Sequence, residues 1–278
     1  MIIQKILSNN AIVAENGNGE VLVALGKGIG FGKKVGDMAD ASKFDAQFLQ
    51  QGKNVDQYYH ELFSHIPDDI IQVTRKIVLM VESESEILSP LSLLLALSDH
   101  LYFAISRASK NLHLKSPLAW DLKVFYPKEY QIATDAVTLI NTMLKEQVSE
   151  DEAGFIALHI ISSRQNANIQ DTMNSAEMVK DILNIIKIHL KISLNEKSLE
   201  FQRIVTHLKF FSLRMISREP VKIGDDEIYS GIKEKFPIAY SCSEKIKSWV
   251  MVNHNYSMTL DELMFLTIHI ERLRESSQ

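Results

Sequence analysis

One cysteine, Cys242, stands in 278 residues, so no disulfide can form within the chain, which suits a reducing compartment. Basic residues are outnumbered, 30 Lys and Arg against 35 Asp and Glu, and the net charge of -5 excludes a global basic field. A local basic patch is still allowed, because whole-chain charge bounds only the long-range potential. No apolar run approaches the roughly 18 residues of a membrane span. The N-terminal stretch MIIQKILSNN is interrupted by Gln4 and Lys5 and lacks a signal-peptide core, so a cytoplasmic protein is expected. There is no HExxH or HxxxH pattern and no cysteine pair, so local metal-ligand spacing is missing. No nucleophile and base are grouped as an active site requires. The chain therefore reads as a non-enzyme with no metal and no cofactor. What remains, 46% hydrophobic and 23% charged residues, is the composition of a globular protein.

Glycine and proline divide the chain. Eight of eleven glycines precede residue 55, and all six prolines follow it. The first segment alternates in the manner of strands, IIQKILS, AIVAE and EVLVAL. Asn9-Asn10 and Asn16-Gly17-Asn18-Gly19, residues that tolerate positive φ, mark the turns between them. A sheet of about 55 residues buries little surface, which makes dimerisation an expectation.

From residue 65 the period becomes helical, in IIQVTRKIVLMV, LSLLLALSDHLYFAI, VKDILNIIKIHL and LEFQRIVTHLKFF. This region repeats itself. Ser149 with Glu152 and Thr259 with Glu262 have capping-box spacing, 110 positions apart. Phe155 matches Phe265 and His159 matches His269 at the same offset, as do Tyr126-Pro127 with Phe236-Pro237 and Tyr130 with Tyr240. SDHLYFAISR and VTHLKFFSLR align His100 with His207 at an offset of 107. The expected architecture is multidomain, a small antiparallel β domain followed by two duplicated all-α helical bundles.

Of nine histidines, four sit at equivalent places in the copies, His100, His159, His207 and His269. As isolated residues they read as half-buried core histidines, and a distant pair could also converge on a metal. A third reading is phosphoryl chemistry. A neutral imidazole nitrogen accepts a phosphoryl group, and an apolar helix face disfavours the imidazolium and keeps that nitrogen available. Phosphorylation would then place about -1.5 to -2 charges in an apolar surface.

The stretch ALGKGIGFGKK, residues 24–34, fits neither GxGxxG nor GxxxxGK[ST], since Phe31 stands where the third glycine of the first would fall. It is a flexible glycine-rich loop with Lys27, Lys33, Lys34 and Phe31. Such a loop is either a solvated lysine cluster or an RNA contact, in which lysines meet phosphates and Phe stacks on an unpaired base.

Taken together, KILSNNAIV (5–13), GKGIGFGKK (26–34), SDHLYFAISR (98–107), EDEAGFIALHI (150–160), VTHLKFF (205–211) and LTIHIER (266–272) resemble the BglG/SacY-type transcriptional antiterminators over the whole length. The resemblance implies an RNA-binding domain at 1–56, a linker at 57–64, and two PTS regulation domains at 65–170 and 171–278. It implies a homodimer that grips an mRNA antiterminator hairpin, blocks an overlapping terminator and so opens a sugar-utilisation operon. Lys5, Asn10, Gly26, Lys27 and Phe31 match the family's RNA-contacting positions. His100, His159, His207 and His269 match its phosphorylation sites. The sugar permease of the phosphotransferase system would drive inhibitory phosphorylation of the first regulation domain, and the phosphocarrier HPr activating phosphorylation of the second. Lys27 stands where the family usually has Arg, and Gly32 where it commonly has Gln. Lys lacks the planar fork of Arg, which implies a different RNA affinity or target preference. The alternative is a DNA-binding activator, since these regulation domains also occur there, but no helix-turn-helix precedes residue 55.

Overall fold

Turn chemistry at Asn9-Asn10 and Asn16–Gly19 folds the N-terminal segment into hairpins. The computed structural model describes residues 1–49, 65–84, 87, 89–165, 167–217 and 226–277. Strands β1 (Ile2–Ser8), β2 (Ala11–Glu15), β3 (Val21–Leu25) and β4 (Ala46–Leu49) form one antiparallel sheet in the order β1-β2-β3-β4. Asn16 makes the β2–β3 turn, its Oδ1 accepting from the amides of Asn18 at 2.9 Å and Glu20 at 3.0 Å, while Gly19 supplies φ +80°. Alternation on β1 buries Ile3 and Leu7. Ala11–Ala14 and Leu22–Leu25 are buried on both faces, so these central strands are continuous rather than alternating apolar runs. The fourth strand, AQFL, was not legible as an element, being four residues without turn signals around it. The linker expected at 57–64, with residues 50–56 before it, lies outside the described residues.

Among the described residues the α-helices come in two sets of five. The first is α1 (Asp68–Glu84), α2 (Pro90–Ala108), α3 (Ala119–Phe125), α4 (Pro127–Met143) and α5 (Glu152–Gln165). The second is α6 (Ile169–Leu190), α7 (Leu199–Ser217), α8 (Asp226–Lys235), α9 (Pro237–His254) and α10 (Leu260–Ser276). Local signals set their ends. Ser89 caps α2 by accepting from the Ser92 amide, with Pro90 in the first turn, and Asn168 caps α6 by accepting from the Asp171 amide at 2.7 Å. Lys191 and Asn255 end α6 and α9 in the left-handed region. In each copy the first helix packs on the second and the second on the fifth. The duplication expected from the sequence is therefore present in the packing, not only in the spacing.

Two compact units result. One holds Met1–Ser116 and Lys128–Asn166, the other Pro117–Pro127 and Ala167–Gln278. Thus α3, drawn from the first copy of the repeat, packs on α6 within the second unit. Buried Asp121 takes Lys180 Nζ at 3.1 Å, and Lys209 Nζ donates to the Phe125 carbonyl at 3.1 Å while lying 4.1 Å from the centre of the Tyr126 ring. No helix is long and apolar enough to cross a membrane among the described residues.

Gly30 is required by close approach. A Cβ there would lie 2.3 Å from the Ser8 carbonyl oxygen and 3.2 Å from Ile6 Cγ2. Gly30→Ala therefore forces β1 aside, and a loss of about 1–3 kcal/mol is expected in urea unfolding of the full chain. An unchanged midpoint would show that the backbone there yields freely.

Candidate functional site

The loop after β3 is more ordered than its glycine content led us to expect. The Gly26 amide donates to the Asn10 carbonyl at 2.9 Å and the Gly30 amide to the Asn9 carbonyl at 2.9 Å, tying the loop to the β1–β2 turn. Successive turns follow, Ile29 to Gly26, Phe31 to Gly28 and Lys33 to Gly30. Gly28 and Gly32 provide φ +71° and +67°, which side chains with a Cβ rarely adopt. The Asn10 side chain accepts from the Gly28 amide and donates to Asp68. Gly26 is buried, and a Cβ there would meet the Lys43 carbonyl oxygen at 2.2 Å. The fold thus brings Asn10, Gly26 and Lys27 together. Lys27 is exposed, and Phe31 is 74% exposed, a large aromatic held out in water by the turn beneath it. Lys33 and Lys34 beside it are exposed too. Lys5 lies on β1 opposite Val13 and is half-buried.

The second site is built twice. Where α2 packs on α5, the His100 and His159 rings stand 5.1 Å apart, and where α7 packs on α10, His207 and His269 stand 4.8 Å apart. Phe155 lies 5.7 Å from His100, and Phe265 lies 6.4 Å from His207. All four rings are half-buried. Burial, then the neighbouring charge of His100, holds the pKa of His159 down to about 3. Burial, with His269 and Arg214 nearby, lowers His207 to about 4. Burial first, then Arg272, lowers His269. His159, His207 and His269 therefore stay neutral near pH 7, with a nitrogen lone pair on each.

A carboxylate and a guanidinium accompany each pair, and this the histidine alignment alone did not identify. Glu152 corresponds to Glu262 and Arg107 to Arg214, at the same offsets of 110 and 107. The spacing that places both glutamates in register is also that of two capping boxes. Only the second one forms. The Thr259 side chain accepts from the Glu262 amide at 3.3 Å, and Glu262 Oε2 accepts from the Thr259 amide at 3.0 Å. Glu152 instead turns to the histidines, with His100 Nε2 at 2.9 Å from Oε2 and Arg107 Nη2 at 3.1 Å from Oε1. Burial raises the Glu152 pKa, but His100 and Arg107 more than offset it and leave the carboxyl below its ordinary value. In the second copy Tyr256 OH donates to both Glu262 oxygens, at 2.9 and 3.1 Å, and Arg214 stands off at 3.9 Å. The Nε of Arg107 and of Arg214 is buried without a partner among the described residues in both copies.

Known proteins match along the whole chain. Residues 1–57 match the CAT RNA binding domain, and residues 75–163 and 180–273 match the PRD domain. The β-glucoside operon antiterminator of Dickeya chrysanthemi is 34% identical over 278 residues, 100% of this chain and 98% of that protein. The transcription antiterminator LicT of Bacillus subtilis (strain 168) is 36% identical over 273 residues, 98% of this chain and 99% of its own. The crystal structure of GlcT CAT-PRDI aligns with a TM-score of 0.51 at 29% identity, covering 59% of this chain and 97% of that one.

The depressed histidines give the fold a pH dependence. Unfolded, these rings titrate near 6.5, so as pH falls from 7 to 5.5 the unfolded chain binds protons that the folded chain refuses. Stability is expected to fall over that window by at most about 1.4 kcal/mol per pH unit per ring. A double variant His159→Gln, His207→Gln should show a shallower slope of melting temperature against pH. An equal slope would mean that other groups govern it.

Proposed function

Since this chain belongs to the antiterminator family that joins a CAT RNA-binding domain to PRD domains, we propose that it is a transcriptional antiterminator, a regulator rather than an enzyme. Its β domain, as a homodimer, grips an mRNA antiterminator hairpin and prevents an overlapping terminator from forming in a sugar-utilisation operon. Phe31 stacks on an unpaired base, Lys27 and Lys5 meet phosphates, and Asn10 and Gly26 shape the surface on which the RNA rests. This activity takes place in the cytoplasm.

Histidine phosphorylation sets the activity. The sugar permease drives inhibitory phosphorylation of the first helical domain at His100 or His159, and HPr drives activating phosphorylation of the second at His207 or His269. The observation that carries this half of the reading is the repetition itself. Two helix pairs from two copies of the repeat each bring two half-buried rings together, to 5.1 and 4.8 Å, beside an arginine whose buried Nε has no partner among the described residues. An added phosphoryl oxygen would satisfy that donor, and the added charge would disrupt an apolar helix seam.

Incubation with enzyme I, HPr and labelled phosphoenolpyruvate is expected to transfer phosphate to the protein. Labelling that survives replacement of His100, His159, His207 and His269 together would place the acceptors elsewhere. In gel shifts the chain should bind an RNA hairpin and not duplex DNA of the same sequence. Phe31→Ala should weaken hairpin binding by about 1–3 kcal/mol through lost stacking, whereas unaltered affinity would remove Phe31 from the interface.

A further inference from the structure

We propose that Glu152 is a positioning residue that makes Nδ1 of His100 the phosphoryl acceptor of the first helical repeat. The proposal rests on the phosphorylation reading above and deepens it, since the four histidines are otherwise equal candidates. Of the four rings, only His100 is hydrogen-bonded to a carboxylate among the described residues.

The assignment follows from what each atom can do. Hydrogen bonds from His100 and Arg107, with the charge of Arg107, hold Glu152 ionised against the effect of burial, so its oxygens only accept. The hydrogen of the 2.9 Å bond must then belong to His100 Nε2. Whenever the ring is in its neutral form, the reactive one, that single proton sits on Nε2 and the free lone pair is on Nδ1. Arg107 fixes the other carboxylate oxygen at 3.1 Å, which stops the carboxylate from rotating away. Nε2 is thereby occupied, and Nδ1 is the nucleophile.

The chemical step balances without moving a proton. The Nδ1 lone pair attacks the phosphorus of a phosphorylated donor, an N–P bond forms, and the donor's bond to phosphorus breaks with its electron pair staying on the donor. The product ring is an imidazolium that keeps its Nε2 proton, and its positive charge faces the Glu152 carboxylate.

The second copy shows what happens without this arrangement. The position equivalent to Tyr256 is Glu146, which has no hydroxyl to donate. In the second copy the Tyr256 hydroxyl and the Thr259 amide take up both oxygens of Glu262, and His207 has no carboxylate partner among the described residues. In the first copy no tyrosine hydroxyl stands at that position, and the carboxylate goes to His100.

Two measurements on the full chain labelled at histidine test this. Proton–nitrogen NMR should show His100 as the Nε2–H tautomer in the wild type and in Glu152→Gln, whose amide oxygen still accepts. In Glu152→Ala the tautomers should mix. Treatment with phosphoramidate, a small donor that needs no carrier protein, should give His100 phosphorylated at Nδ1 in the wild type and a severalfold larger share at Nε2 in Glu152→Ala. Wild-type His100 phosphorylated at Nε2, or left unphosphorylated, would overturn the proposal, as would identical tautomer and isomer ratios in Glu152→Ala. The wild-type isomer decides the matter even if that variant fails to fold. If phosphotransferase proteins fail to label the chain while phosphoramidate labels His100 at Nδ1, the regulatory reading falls and the acceptor geometry stands.

Discussion

Everything at the histidine sites depends on one packing event, the second helix of each copy laid against the fifth. Leu97, Leu101 and Ala104 on α2 and Ile156 and Ile160 on α5 are buried, and helical spacing then leaves His100 and His159 at the edge of that seam. The same holds for Leu208 and Phe211 on α7 with Leu266 and Ile270 on α10. Burial of these side chains, worth about 1.5–3 kcal/mol each, is what holds the rings together. It is also what removes water from them, so the stabilising force and the loss of basicity have a single origin. A charge added at this seam acts directly on the contact that maintains it.

Duplication copied the apolar seam more faithfully than the polar groups around it. Glutamate, arginine and both histidines recur in register, yet the carboxylates bond differently. One hydroxyl accounts for this. Tyr256, with its pKa pushed up to about 12 by burial and by Glu262, remains a firm donor and keeps that carboxylate at the helix N-terminus. Glu146 offers nothing comparable. Two domains of one fold thus share a seam and differ in the partners around it, one carboxylate bonded to a histidine and the other to a tyrosine and the helix N-terminus.

The sequence revealed the features that depend on spacing and missed those that depend on competition. Apolar periods placed α1, α2, α6 and α7, asparagine and glycine placed the hairpins, and offsets of 107 and 110 paired rings that meet in space. The capping box at Ser149 failed because a glutamate three residues after a serine has more than one use, and the nearby histidine and arginine outcompeted the cap. Strand β4 was too short to carry a period, and its place follows from pairing with β3. The position of α3 in the second unit was equally invisible. Asp121 meets Lys180 through tertiary packing, across 59 positions with no local pattern.

The loop after β3 obeys a different logic from the seam. Gly26 and Gly30 press its backbone against Lys43 and Ser8 so closely that no side chain fits. Such tight docking fixes the direction in which the remaining residues project. Phe31 is held outward with most of its ring in water, an arrangement unfavourable to the free protein by the hydrophobic area it leaves exposed. Under the proposed RNA contact, that exposure would lower what must be given up on binding, because the aromatic surface and the loop backbone are ordered in the free protein. A flexible glycine loop would have lost that advantage to entropy. The turns that tie residues 26–33 to Asn9 and Asn10 make rigidity, rather than positive charge, the property through which so acidic a chain can present a nucleic-acid surface.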